Sequence, residues 1–213
     1  MKLQIALDTA TSKTIMEIVE KVADVVDIVE VGTPMVINEG VTAVRMIKDR
    51  YSQLTVLADT KIVDGARIEC QYAVDAGADI ITVLALADDA TIKAAAETAH
   101  ADGRKLMADL LGVIDIKTRA VQLKNLGADY IAVHTGVDVQ AQGRTPYKDL
   151  TELIKAVPAA MCAVAGGVNL ETIEQYAALQ PAIIIAGGAL CNAPDIREAA
   201  IRMKEKIQQA EQK

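Results

Sequence analysis

The 213-residue chain contains no phenylalanine and no tryptophan, and aromatics make up 2% of it. Its core must therefore be built from Ile, Val, Leu, Ala and Met, within an apolar fraction of 52%. Branched aliphatic side chains of this kind suit parallel strands covered on both faces. Basic charge is also in short supply. The net charge of −7 argues against non-specific binding to nucleic acid or a membrane surface. It leaves room for a phosphorylated metabolite, which backbone N–H groups can hold locally. The three cysteines, Cys70, Cys162 and Cys191, are odd in number and widely spaced. They fit neither a disulfide framework nor a zinc-binding spacing, and are expected to be reduced thiols of a cytoplasmic protein. No apolar run approaches membrane-spanning length. Charge at Lys2 and Asp8 interrupts the N-terminus too early for a signal peptide.

What is present is an alternation of short apolar runs with longer amphipathic ones. Strands are predicted over Leu3–Leu7, Ile28–Val31, Leu54–Ala58, Ile80–Leu84, Lys105–Asp109, Tyr130–Val133, Met161–Val164 and Ala182–Ile185. Helical spacing is found over Thr11–Ala23, Val41–Arg50, Ala66–Ala76, Asp89–Ala101, Ile116–Leu126, Asp149–Ala156, Leu170–Leu179 and Pro194–Gln209. Gly77-Ala78-Asp79 and Gly127-Ala128-Asp129 repeat one device, a glycine that ends a helix and an Asp that leads into a strand. The polar end, Gln208 to Lys213, is expected to fray. No linker or change of composition divides the chain, so residues 1–213 read as one domain. Eight strand–helix pairs in this length predict an α/β fold, a compact (β/α)8 TIM barrel. The competing architecture is an open doubly wound sheet. Against it, Asp8-Thr9-Ala10-Thr11 follows the first strand where a glycine-rich dinucleotide fingerprint would stand.

Barrel enzymes place their chemistry at the C-terminal ends of the strands. Those ends read Asp8, Glu30, Asp59 with Lys61, Asp109, His134, Gly166-Gly167 and Gly187-Gly188. Asp59, Lys61 and Asp64 lie within six residues, and a lysine between carboxylates stays protonated. Such a cation is a poor Schiff-base former and a good partner for a developing anion. The bland alternative is a loop salt bridge, with Asp64 capping the next helix. Asp8 has a similar alternative as a helix cap. Glu30 sits inside an apolar strand and needs a cation or a donor. His134, at a strand end among acidic groups, is the best general-base candidate. His100 sits at a helix end, where it complements the helix dipole, and receives no catalytic role. The two Gly-Gly turns follow strands seven and eight, where barrels frequently bind phosphate. Glu30, Asp59 and Asp109 offer hard oxygen ligands suited to Mg²⁺. Together these groups point to proton abstraction or carbon–carbon bond chemistry beside the carbonyl of a sugar phosphate.

The residues also resemble a known family. Asp59-x-Lys61-x-x-Asp64 is similar to the D-x-K-x-x-D motif of the orotidine 5′-monophosphate decarboxylase suprafamily. Within it, the chain resembles the 3-hexulose-6-phosphate synthase family over nearly its whole length. That likeness is carried by Leu7-Asp8, Glu30-Val31-Gly32-Thr33, Ala58 to Asp64, Ala76-Gly77-Ala78-Asp79, Val133 to Ala141 and Ala186-Gly187-Gly188-Ala189. The resemblance implies a Mg²⁺-dependent aldolase that joins formaldehyde to D-ribulose 5-phosphate through an enediolate, giving D-arabino-hex-3-ulose 6-phosphate, in formaldehyde fixation and detoxification. It implies that Glu30 and Asp59 hold the metal and that Lys61 stabilises the enediolate. It further implies that His134 moves the C1 proton, that Asp109 binds substrate hydroxyls and that Asp8 lies close to Lys61. Gly166, Gly167, Gly187 and Gly188 would hold the phosphate. Asp64 would act across the interface of a homodimer with shared sites. Two relatives in the suprafamily compete. The 3-keto-L-gulonate 6-phosphate decarboxylases place arginines just after the histidine, where this chain reads Thr135-Gly136-Val137, and end their last phosphate loop in Gly-Arg. Orotidine monophosphate decarboxylase needs no metal and uses an arginine near the last strand, for which no counterpart is evident. A non-catalytic sugar-phosphate sensor is the alternative from another class, and the survival of every chemical residue argues against it.

Overall fold

Parallel strands with both faces covered must either end at two edges or close on themselves, and here they close. In this computed structural model, β1 (Lys2–Leu7), β2 (Ile28–Val31), β3 (Thr55–Ile62), β4 (Ile80–Leu84), β5 (Lys105–Asp109), β6 (Tyr130–His134), β7 (Cys162–Ala165) and β8 (Ile183–Ala186) form a closed barrel in chain order. The structure describes residues 1–8 and 10–212. Thr9 and Lys213 lie outside the described residues. Pairing of β1 with β8, Leu3 opposite Ile184 and Ile5 opposite Ala186, excludes the open sheet.

The helices are α1 (Ser12–Val22), α2 (Thr33–Glu39), α3 (Thr42–Arg50), α4 (Ala66–Asp75), α5 (Asp89–Ala101), α6 (Ile116–Asn125), α7 (Val137–Gln140), α8 (Tyr147–Ala156), α9 (Ile173–Ala177), α10 (Gly188–Cys191) and α11 (Ile196–Glu211). None is long and apolar enough to cross a membrane. Thr11 rather than Asp8 caps α1, its N–H donating to Thr14 Oγ1 at 3.0 Å. Helix α11 continues to Glu211, whose carboxylate pairs with the N-terminal amine of Met1. The thiols are free, with Cys70 and Cys162 buried and Cys191 half-buried.

Two apolar sets follow from the two-residue period of a strand. Leu3, Ile5 and Leu7 of β1, with Val29 and Val31 of β2, pack outward against the helices. Ala6, Ile28, Leu57, Ile80, Met107, Tyr130, Ile183 and Ile185 fill the barrel interior. Each buried branched side chain stabilises the fold by about 1.5–3 kcal/mol. The interior is unevenly filled. Ala6, Ala132 and Ala165 stand on β1, β6 and β7, and the space above them is not taken up by protein.

The repeated Gly-Ala-Asp device acquires a physical meaning at the base of the barrel. Asp79 Oδ2 accepts from Val56 N at 2.9 Å, and Asp129 Oδ2 accepts from Leu106 N at 2.9 Å. Asp27 does the same for Leu3 N at 2.7 Å. An aspartate before β2, β4 and β6 thus satisfies a backbone donor at the start of the preceding strand. His100 Nε2 lies 2.8 Å from Asp129 Oδ2, so this histidine belongs to the base and not to the mouth.

Candidate active site

The third strand differs most from expectation, and the difference builds the site. Instead of ending at Ala58, β3 runs through Asp59 and Lys61 to Ile62. Its pairing with β4 slips between Ala58 and Ile62, and Lys61 has a positive φ of 45°. A non-glycine residue in that region costs about 1–3 kcal/mol and persists only where its surroundings impose it. Thr82 imposes it here. Its hydroxyl accepts from Lys61 N at 2.9 Å and donates to Asp59 Oδ1 at 2.8 Å. Asp59 and Lys61, two residues apart, consequently project into one cavity.

That cavity, about 890 Å³, opens at the C-terminal ends of the strands. Asp8, Glu30, Asp59, Lys61, Asp109, His134 and the four glycines Gly166, Gly167, Gly187 and Gly188 all line it. Lys61 Nζ lies 2.5 Å from Asp59 Oδ2 and 3.3 Å from Asp109 Oδ2. Burial works against this ammonium, but the charges of Asp59 and Asp109 outweigh it and hold the pKa above the ordinary lysine value. Lys61 is therefore a fixed cation. Burial also works against the Asp109 carboxylate, yet the hydrogen bond and charge of His134, with Lys61, bring its pKa below the ordinary value. An ionised Asp109 can only accept, so His134 Nδ1, at 2.9 Å from Asp109 Oδ2, carries the proton. With Nδ1 engaged by Asp109, Nε2 is the ring nitrogen left to meet a substrate.

Glu30 is the opposite case. Burial, followed by the nearby negative Asp59, raises its pKa well above the ordinary value. Its side chain takes one hydrogen bond among the described residues, from Gln4 Nε2 at 2.5 Å. Burial and Asp59 likewise raise Asp8. Its carboxylate sits over Gly32, where a Cβ would fall 2.2 Å from Asp8 Oδ1, so only glycine leaves it room. Among the described residues no three His, Cys, Asp or Glu side chains converge into a complete metal cage. Two carboxylates on β2 and β3, one destabilised by the other, are nonetheless the donor set that a hard dication keeping several waters requires. At the other end of the cavity, Gly166 has φ of 104°, and a Cβ there would lie 2.4 Å from Thr135 O.

Asp64 is the one predicted residue that the fold does not bring to the cavity. It is exposed, next to the exposed side chains of Val63 and Ile68. Asp109 is placed as expected but differently engaged. Oδ2 serves Lys61 and His134, and Oδ1 accepts from Leu111 N at 2.9 Å. Sequence reasoning missed Gln4, Thr33 and Thr82. Thr33 Oγ1 donates to Asp59 Oδ2 at 2.7 Å and accepts from Lys61 Nζ at 3.2 Å. Gln4 and Thr82 are polar residues inside otherwise apolar strands, and that was the available signal.

The model of the orotidine 5′-phosphate decarboxylase / HUMPS family matches residues 1–203. A Bacillus subtilis (strain 168) protein named 3-hexulose-6-phosphate synthase is 46% identical over 209 residues, which is 98% of this chain and 100% of that one. The crystal structure of 3-hexulose-6-phosphate synthase from Salmonella typhimurium superposes with a TM-score of 0.96 at 43% identity, over 99% of this chain and 100% of that one. The 3-keto-L-gulonate-6-phosphate decarboxylase from Vibrio cholerae gives a TM-score of 0.85 at 28% identity, over 98% and 97% of the two chains.

Proposed function

Because the chain belongs to the orotidine 5′-phosphate decarboxylase / HUMPS family, we propose that it is an aldolase of the 3-hexulose-6-phosphate synthase kind, joining formaldehyde to D-ribulose 5-phosphate. The observation that carries this reading is the chain of contacts Asp59–Lys61–Asp109–His134, a permanent cation beside a base, facing a glycine-lined end of one cavity. Identity of 46% across the full length of a named synthase supports the choice of reaction.

The phosphate of the sugar lies against Gly166, Gly167, Gly187 and Gly188, where peptide N–H groups can approach it closely. This leaves the carbonyl end toward Lys61 and His134. Glu30 and Asp59 would hold Mg²⁺, consistent with a buried carboxylate pair that lacks a cation of its own at Glu30. When bound, Mg²⁺ would act as a Lewis acid on the carbonyl oxygen. His134 Nε2 takes a proton from C1, and Asp109 steadies the resulting imidazolium through Nδ1. Lys61 faces the negative charge that develops on the enediolate oxygen, already oriented by Asp59 and Asp109. C1 then forms a bond to the aldehyde carbon, and the new alkoxide recovers the proton from His134. Proton and electron pairs balance, and His134 returns neutral.

The exposed Asp64 suits a homodimer in which each subunit lends this carboxylate to its partner's cavity. Exposed Val63, Ile68 and Tyr72 supply apolar surface for such a contact. The free thiols and acidic charge fit a cytoplasmic enzyme. The step assigned to His134 and Lys61 is tested by incubating the protein with D-ribulose 5-phosphate and Mg²⁺ in D₂O. Deuterium should enter C1 without any aldehyde present. Tight binding of the sugar phosphate with no exchange would instead identify a sensor.

A further inference from the structure

Gln4 is wholly buried in β1, on the interior face two residues before Ala6, and it lines the floor of the cavity. Its orientation is not arbitrary. The amide nitrogen donates to Glu30 Oε2 at 2.5 Å, the orientation that a Glu30 ionised to hold a cation requires. The amide oxygen is thereby turned away, and Gln4 Oε1 has no hydrogen-bond partner among the described residues. A buried acceptor left without a donor destabilises the fold. The neighbouring interior positions carry Ile28, Leu57 and Ile185, and a hydrocarbon at position 4 would avoid that cost. Folding gives the amide nitrogen a task, the hydrogen bond to Glu30, and gives the amide oxygen none, whereas the cavity it faces does.

We propose that Gln4 is a positioning residue for the cation site: its N–H holds the Glu30 carboxylate in place for the metal, and its free carbonyl oxygen accepts a hydrogen bond from a water that the metal carries. This rests on the reading of Glu30 and Asp59 as Mg²⁺ ligands. A Mg²⁺ ion bound through two carboxylates keeps several waters, and a water is the donor that Gln4 Oε1 lacks. Partners of this type behind metal ligands typically contribute 10–100-fold in metal affinity.

The test uses Gln4→Met, which keeps the volume and removes both polar atoms, with Gln4→Leu as a second variant should methionine pack poorly. Mn²⁺ alone, followed by its EPR signal, is titrated into metal-free protein. Both variants should bind Mn²⁺ about 10–100-fold more weakly than the wild type. Metal-free thermal melting should change little, because the orphaned acceptor and the hydrogen bond to Glu30 are lost together. At saturating Mn²⁺, kcat should return to within about two-fold of the wild type, since the missing contact acts on the metal and not on the reacting atoms. Equal Mn²⁺ affinity of variant and wild type would overturn the role of Gln4 alone. A wild type that binds no Mn²⁺ would overturn the metal reading and this inference together. A variant that melts lower and stays slow at saturating Mn²⁺ would mark Gln4 as structural.

Discussion

Replacing Lys61 by alanine removes the cation around which the site is arranged. Asp59 and Asp109 are 5% and 4% exposed, and Lys61 lies within 3.3 Å of both. Breaking a buried ion pair from one side strands the remaining charge and costs about 3–5 kcal/mol of stability. Here two carboxylates are stranded, though the Thr33, Thr82 and Leu111 hydrogen bonds to them remain. The expected loss at neutral pH is therefore about 3–5 kcal/mol, a large fraction of a domain's stability of about 5–15 kcal/mol. Stranded carboxylates have raised pKa values in the folded variant, so their penalty exists above the unfolded pKa of about 4 and disappears below it. Urea melts at pH 7.5 and pH 4 should show the two proteins converging at the lower pH. Turnover should fall separately. Loss of a preorganised charge facing a developing anion raises the barrier by about 2.7–4 kcal/mol, or roughly 10²–10³ in kcat. The double variant Lys61→Ala/Asp109→Asn should regain part of the stability and none of the rate. A kcat within ten-fold of the wild type, or a Lys61→Ala protein as stable as the wild type at pH 7.5, would refute the role given to Lys61.

Other perturbations separate the remaining parts of the site. Gly166→Ala meets both a φ of 104° and Thr135 O at 2.4 Å, and should lose about 2–4 kcal/mol in denaturant melts. Gly187→Ala meets nothing closer than Ala6 O and Asp8 Oδ2 at 3.5 Å and should fold normally. Its methyl group would crowd the phosphate end and raise KM for the sugar phosphate, and an unchanged KM would remove Gly187 from that role. Glu30 has a raised pKa in the folded protein, so its contribution to stability is fully present below the unfolded pKa of about 4.3 and is lost as pH rises through the folded pKa. Metal-free Glu30→Gln, locked in the neutral form, should then melt above the wild type at pH 8 and level with it near pH 4, and the reverse order at pH 8 would show that Glu30 is not penalised. Lys61→Ala and Asp64→Ala subunits, each inactive alone, should regain activity when mixed dimers form, and mixed dimers without activity would rule out a shared site.

The barrel was legible because its strands are short apolar runs between amphipathic ones, and β2, β4 and β5 fall at their predicted limits. The helices α2, α7 and α10 were not. They are only four to seven residues long, too short for a periodicity of 3.6 to emerge. In α2 the proline after Thr33 also reads as a break, although proline is favoured in a first turn. The extension of β3 was hidden because charged residues look like a strand's end, whereas Lys61 completes the strand through a bulge supported by Thr82 from the next strand. That is a tertiary contact with no local signature. Burial of the strands on both faces had a similar effect. It removed the alternation that would have shown Gln4, Glu30, Asp59, Thr82 and Asp109 to share the interior face. The identities of the charged site residues were readable at the strand ends. Their partners were not, since nothing local shows that Asp109 meets Lys61 and His134.

The most direct test of the central claim is the consumption of formaldehyde by the protein in the presence of D-ribulose 5-phosphate and Mg²⁺, with decarboxylation of 3-keto-L-gulonate 6-phosphate measured alongside. The account predicts rapid formaldehyde uptake that EDTA abolishes and added Mg²⁺ restores, with decarboxylation slow by comparison. Rapid decarboxylation with little uptake of formaldehyde would contradict it and assign the same cation, base and phosphate end to the sister reaction.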